Sequence, residues 1–382
     1  MMRNNILLLL TALTMCACQN DDTDFSAYIN GTYSDVHVIS ISYEGTSVTV
    51  SGDDKGFVTA DGTDVTVNSG TSADSLLLVL SGNTDDGSLL VYGQKSYGMV
   101  LNGISISNND GPAINNQCGK ALYMKVTDGT SNSLTDGSTY ADITDAYGNA
   151  IDQKGALFSE GEVYVSGGGS LTVNGNCRHG FACDDYIVIN DEVSLSVNCT
   201  TGNGIKVNDG IWINGGTLDI NVTADAARGI RCDSVVVITG GNTAITTSGN
   251  CVYDSEAADY SSAACIKCDY PFTMTGGTLT MNSSGDGGKG LNCSADILFE
   301  GGTLLAVTTG GNKQSKPKAV KSDTGIYISG GSFTAKVNKS WACDNGYDDD
   351  SLSDEELAKK RVTVTGTPSY ADITQKSVVI TF

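Results

Sequence analysis

Between Ala156 and Ser340, apolar and polar residues alternate with period two, in short runs that recur at a near-fixed interval. The clearest copies open Gly204-Ile205-Lys206-Val207-Asn208-Asp209, Gly229-Ile230-Arg231-Cys232-Asp233, Cys265-Ile266-Lys267-Cys268-Asp269 and Gly290-Leu291-Asn292-Cys293-Ser294. Weaker copies open at Ala156, Gly180 and Ala319, so the steps are 24, 24, 25, 36, 25 and 29 residues. A Gly-Gly pair follows at a constant offset in most copies: Gly215-Gly216, Gly240-Gly241, Gly276-Gly277, Gly301-Gly302 and Gly330-Gly331. Period two predicts strands. A repeat of this length predicts a solenoid, whose units bury their apolar faces only against their neighbours. Ile205, Val207, Ile211 and Ile213 are expected to face inward, then Leu218, Ile220 and Val222 past the Gly-Gly corner. The next copy repeats this with Ile230, Cys232, Val236 and Ile238. No stretch of helical period interrupts the strands, which excludes alternating βα units and argues against a leucine-rich repeat. Three short strands per circuit, turned by Gly-Gly and Asn-Gly corners, describe an all-β fold, a parallel β-helix with coils of about 24–25 residues.

The flanks read differently. Residues 32–100 hold irregular alternating runs, expected to supply the N-terminal cap and first strands. A cap is required because an open coil exposes both apolar surface and unpaired strand edges. Residues 101–345 are expected to be the β-helix proper, with a polar excursion over 127–153, and 346–382 a C-terminal cap. There Ser353-Asp354-Glu355-Glu356 reads as a capping box opening a short helix to Lys360, followed by strands over 361–365 and 377–382.

The first eighteen residues change the compartment. Arg3 precedes the apolar run Ile6 to Leu13, too short to span a bilayer. Met15-Cys16-Ala17-Cys18 resembles a bacterial lipobox, with Cys18 as the lipidated residue. The acidic stretch within the 19–31 tether resembles a surface-export signal. The expectation is an outer-membrane lipoprotein exposed at the cell surface and held only by its lipid.

Twelve cysteines in an exported chain suggest disulfides. Their positions argue for packing instead: Cys183, Cys232, Cys268, Cys293 and Cys343 are expected at one inward slot. Cys251 to Cys265, flanking the one large insertion, is the expected bridge. The formal charge of −22 disfavours nucleic acid as a partner.

Two outward columns carry candidate chemistry. One reads Lys206, Arg231, Lys267, Asn292, Lys321, and the other Asp184, Asn208, Asp233, Asp269, Ser294, Asp323. Successive members lie about 4.8 Å apart if the coils stack in register. They describe either a self-neutralised face or a track for an acidic glycan, the cations Lys206, Arg231 and Lys267 holding carboxylates while Asp184, Asp233 and Asp269 hold Ca²⁺. Tyr164 and Trp212 fall two rungs apart on the second strand, a spacing suited to stacking on sugars. The insertion places Tyr253 and Tyr260 beside carboxylates. The excursion offers Asp136, Asp142 and Asp145 as further calcium ligands. Neither follows an EF-hand or nonapeptide calcium spacing.

The strings Leu101-Asn102-Gly103-Ile104-Ser105-Ile106-Ser107-Asn108, Asp110-Gly111-Pro112-Ala113-Ile114, Asn132-Ser133-Leu134-Thr135-Asp136-Gly137-Ser138, Ala156-Leu157-Phe158-Ser159 and Gly169-Ser170-Leu171-Thr172-Val173-Asn174-Gly175 are more specific. In this order, over roughly residues 45 to 345, the chain resembles a family of bacterial surface carbohydrate-binding β-helix domains, related in fold to pectate lyases. The resemblance implies a right-handed helix, extracellular placement, calcium, and binding of plant-type polysaccharides including acidic ones. Fold kinship alone carries no catalysis. The expected function is therefore non-catalytic polysaccharide binding. The alternatives are a calcium-dependent polysaccharide lyase, with Lys206, Arg231 or Lys267 as base, and a protein-binding adhesin.

Overall fold

The computed structural model describes residues 36–382 apart from 73, 74, 146 and 191. The chain is a parallel β-helix. A typical coil runs through Arg228–Cys232, Val236–Ile238 and Asn242–Thr247, and each strand pairs in parallel with its counterpart one coil away. The first strands stack into a sheet of twelve. The second and third strands form the other two faces. At the N-terminal end these are joined by the long strands Val36–Glu44, Ser75–Thr84 and Tyr97–Ser107, each feeding both faces.

The core follows from the alternation. Ile205, Val207, Ile211, Ile213, Leu218, Ile220, Ile230, Cys232, Val236 and Ile238 are all 0% exposed. Each fully buried aliphatic side chain contributes roughly 1.5–3 kcal/mol against the entropy of ordering its strand. The Gly-Gly corners stack directly on one another. Gly277, at φ +73°, would place a Cβ 2.6 Å from the carbonyl carbon of Gly240 one coil below, so the corner accepts no side chain.

Several boundaries differ from the expectation. In-register parallel pairing reaches back to Val36. The segment Ser131–Thr135 is a regular rung, paired with Ser105–Ser107 and Ser170–Asn174, so the polar excursion begins only after it. Ser353 caps the helix α1 (Asp354–Lys360), its side chain accepting from Glu356 N while the Glu356 carboxylate accepts from Ser353 N. The last strand, Ser377–Thr381, pairs antiparallel with Ser332–Val337 and with a strand that the alternation did not reveal, Tyr370–Ile373. This hairpin closes the open edge of the final coil.

The cysteine expectation holds in part. Cys183, Cys232, Cys268 and Cys293 share one inward slot, with Val207 and Ser322 completing it. Cys343 does not: it pairs with Val320, two residues earlier in the strand. The Cys251–Cys265 bridge is absent; both thiols are free and buried. The Cys251 thiol approaches Gln314 Oε1 at 3.8 Å, while Cys265 lies inside the coil against Thr247 Oγ1 at 3.7 Å. Burial pushes the Cys265 thiol up to about 12 and that of Cys232 to about 11, leaving them protonated and inert. Among the described residues no helix is long and apolar enough to cross a membrane.

Candidate functional site

Parallel register places the two outward columns of the first sheet as expected. Ala182, Lys206, Arg231, Lys267, Asn292 and Lys321 are neighbours in turn. The adjacent column of acids pairs with them diagonally. Lys206 Nζ lies 2.6 Å from Asp233 Oδ2 and donates to Asn208 Oδ1 at 2.6 Å. Arg231 contacts Asp233 Oδ1 at 2.8 Å and Asp269 Oδ2 at 2.6 Å. Lys154 pairs with Asp184, and Lys321 with Asp323. Each cation thus takes an acid on its own rung, the next rung, or both.

Lys267 is the exception. Its own-rung acid, Asp269, is taken by Arg231 from the rung below, and the next rung carries Ser294 where other coils carry aspartate. No hydrogen bond or ion pair links Lys267 to another described residue. Burial, then Arg228 and Arg231, push its ammonium below its ordinary range.

A third column on this face lies one step before the conserved-spacing Gly-Ile start of each coil. It reads Arg228, Ala264, Lys289, Lys318, Trp341. Sequence reasoning passed over it, although the repeat period pointed to it: residues 228, 264, 289 and 318 each precede a coil start. Lys318 is neutralised by Asp344, which also accepts from Arg361 at 2.8 Å.

The insertion lies against these columns. It forms a hairpin, Val252–Asp254 with Asp259–Ser261. Tyr253 and Tyr260 face each other across it with ring centroids 5.3 Å apart, edge to face, and Tyr253 is 55% exposed. Its base is tied down where Arg228 Nη2 donates to Ser261 Oγ at 2.7 Å and Lys289 Nζ donates to Ser262 Oγ.

Tyr164 and Trp212 stand on the second sheet, in register through Val188. They belong to a continuous aromatic cluster. Tyr123 stacks on Tyr164 at 4.9 Å and 9°, Tyr164 meets Tyr186 edge-on at 5.9 Å, and Tyr186 meets Trp212 at 5.7 Å. The Tyr164 and Tyr186 hydroxyls share a hydrogen bond of 2.6 Å. Gly210 lets the indole lie over the strand: a Cβ there would sit 2.7 Å from the ring. Tyr123 and Tyr186 were not anticipated. Tyr186 opens the strand Tyr186–Ile189 two positions before Val188, in the neighbouring outward column, where it pairs with Gly210.

The candidate calcium ligands fall into separate places. Asp184 joins Asp152 and Glu160, one carboxylate oxygen of each lying within 4.8 Å of the others. Lys154 reaches into this group, pairing with Asp152 at 2.8 Å and with Asp184. Burial, then Asp184, raise the Glu160 carboxyl above its ordinary range. Glu160 was legible: Ser159 stacks on Cys183, so extending the acidic column back by 24 residues from Asp184 reaches it. Asp233 and Asp269 are engaged by Lys206 and Arg231. Asp142 and Asp145 lie in the excursion. The Asp145 carboxylate accepts from Tyr147 N, Asn149 N and Asn149 Nδ2 at 2.8, 2.8 and 2.9 Å. Asp136 is a clasp, accepting from Asn176 N and the Tyr140 hydroxyl at 2.6 Å each. Cys18 lies outside the described residues.

The structure defines a parallel β-solenoid whose first sheet carries cations at one position of several successive rungs. Comparison with known proteins agrees. The profile of the family described as "Carbohydrate-binding domain-containing protein" matches residues 61–232 and 219–313, and the chain belongs to this family. A protein of the same description from Acetivibrio thermocellus is 29% identical over 117 residues, 30% of this chain. The match spans 39% of that relative's length. A solved structure of a polysaccharide lyase-like protein from C. thermocellum, a gadolinium derivative, superposes with a TM-score of 0.54 at 22% identity. It covers 72% of this chain and 99% of its own, a likeness of fold.

Proposed function

We propose that this protein binds acidic polysaccharide along the outward face of its first sheet, holding the chain without cleaving it. The observation that carries this reading is the in-register ladder of Lys206, Arg231 and Lys267 beside the tyrosine hairpin. Cations recurring every rung, about 4.8 Å apart, offer repeated contacts to the carboxylates of a uronate chain, and charge-assisted hydrogen bonds are the stronger kind. Tyr253 adds an exposed ring face, with Tyr260 half-buried against it. The aromatic cluster around Tyr164 and Trp212 is a second sugar platform on another face.

Calcium belongs to this proposal. A Ca²⁺ ion with oxygen ligands at about 2.3–2.6 Å fits the spread of the Asp152, Glu160 and Asp184 carboxylates, with Lys154 displaced from among them. So does placement: Cys18 as the lipid anchor puts the solenoid at the outer-membrane surface, where polysaccharide is met.

One observation favours a second reading, a calcium-dependent lyase: burial, then Arg228 and Arg231, lower the Lys267 ammonium from its ordinary range, the direction a base for uronate β-elimination requires. Affinity electrophoresis in gels containing polygalacturonate or neutral glucan, with calcium or chelator, tests the first. Retardation by polygalacturonate that chelator abolishes is expected. Migration unchanged in every gel would remove the glycan reading. Appearance of the ultraviolet-absorbing unsaturated uronide would instead establish the lyase.

A further inference from the structure

The cations of the first sheet are neutralised almost everywhere by the diagonal zipper of acids, and the zipper fails at one place. Ser294 occupies an acid position, and Ala264 occupies a position where Arg228 and Lys289 stand on the rungs below and above. Around this gap none of Arg228, Lys267 and Lys289 forms an ion pair with a described residue. Arg228 and Lys289 are two rungs apart, about 10 Å along the sheet, and their head groups bond to consecutive hairpin residues, Ser261 and Ser262. Lys289 is only 8% exposed, and the buried Nε of Arg228 has no hydrogen-bond partner. Buried charges without counter-ions are costly. One buried and two half-buried cations gather around Ala264, two of them bonded to the hairpin base and one carrying an unused donor, a set that suits an anion.

We infer that Arg228, Lys267 and Lys289 form an oxyanion subsite that takes one carboxylate or sulfate group of a glycan, seated over Ala264 at the base of the hairpin. This rests on the reading of the first-sheet face as the glycan-binding surface and gives that face its point of selectivity. The spectator groups fit. Lys318 and Lys321 approach Lys289 from the coil above, while Cys251 and Asp259 approach from the insertion. Burial, then Lys321, lower the Lys289 ammonium to about 8, and an oxyanion in contact would raise it again.

Two measurements on the whole protein separate this inference from the reading beneath it. The first follows the lysine side-chain NMR signals while galacturonate, inorganic sulfate or neutral glucose is added. Galacturonate or sulfate should move the Lys267 and Lys289 signals and shift the Lys289 titration upward, and glucose should not. The larger response distinguishes a carboxylate site from a sulfate site. Response to sulfate alone, unsaturable and untouched by substitution, means an adventitious ion only and overturns the inference. The second measures affinity for trigalacturonate in Ser294→Asp and Lys267→Met. Ser294→Asp places an acid where neighbouring coils already carry one, so the coil tolerates it. It should neutralise Lys267 and weaken binding about tenfold, as loss of a charge-assisted contact does. Unchanged affinity in both variants would sink the subsite while leaving the broader reading intact. NMR shifts without any polysaccharide retention would do the reverse.

Discussion

At the scale of single residues the repeat is enforced by what will not fit. The second glycine of each Gly-Gly corner sits at positive φ against the backbone of the coil below: Gly241 at +73°, Gly277 at +73° and Gly331 at +70°. Gly277→Ala meets both the left-handed strain, about 1–2 kcal/mol, and the 2.6 Å approach to Gly240. It should lower the unfolding free energy by at least that much, and the urea midpoint with it. Gly119→Ala, where nothing lies within 4 Å, should leave the midpoint unchanged, and urea titration of the two compares them. His179 offers a second test. Its Nδ1 accepts from Asn203 N at 3.0 Å, and burial, then Lys206, depress the imidazole to about 4 from 6.5. A depressed basic group stays neutral in the fold while the unfolded chain takes up protons. Its stabilisation is complete above pH 6.5 and is lost as pH falls toward 4, about 3 kcal/mol in all. The difference in stability between the protein and His179→Gln should shrink across that window, with the ring's NMR shift staying neutral until pH approaches 4. Asp185, raised to about 6 by burial and Glu162, works in the opposite sense, so the variant comparison rather than the bare pH curve is the measurement to make.

At the scale of elements, the hairpin Val252–Ser261 is the feature that breaks the period, and the step of 36 residues marked it in the sequence. Its aromatic residues are held at the rim and not in the core, so they are dispensable for folding. Tyr253→Ala with Tyr260→Ala should leave the thermal midpoint within about a degree, since exposed substitutions cost little. It should reduce affinity for polygalacturonate several-fold, as loss of stacking surface does. Calorimetric titration checks the pair. Equal affinity would assign the hairpin to roofing the first sheet alone. The cap elements behave as edge protection: α1 was readable from its capping box, whereas Tyr370–Ile373 was not, being largely exposed and lacking an alternation of buried and exposed positions.

At the scale of the whole molecule, a formal charge of −22 surrounds one face where Lys206, Arg231, Lys267, Lys289, Lys318 and Lys321 gather. The first-sheet columns, the inward core and the Gly-Gly corners were legible in the sequence because a solenoid converts sequence spacing directly into spatial neighbourhood. A residue one period away is a residue one rung away. That rule also held for Glu160 and for the column of Arg228 and Lys289. What it could not reach was anything decided between columns or by chain that leaves the coil. The fate of Cys251 and Cys265 depended on which way each side chain turned. The merging of Tyr164 and Trp212 through Tyr186 depended on a ring reaching between two neighbouring outward columns. The isolation of Lys267 depended on Arg231 reaching across a rung to take its acid. Periodicity by itself determined the coil, its core and the order of charges along its face, since hydrophobic alternation and rung spacing act locally. Only the tertiary structure decided which charges neutralise one another and which remain without a partner, because pairing is settled by the reach of side chains through space.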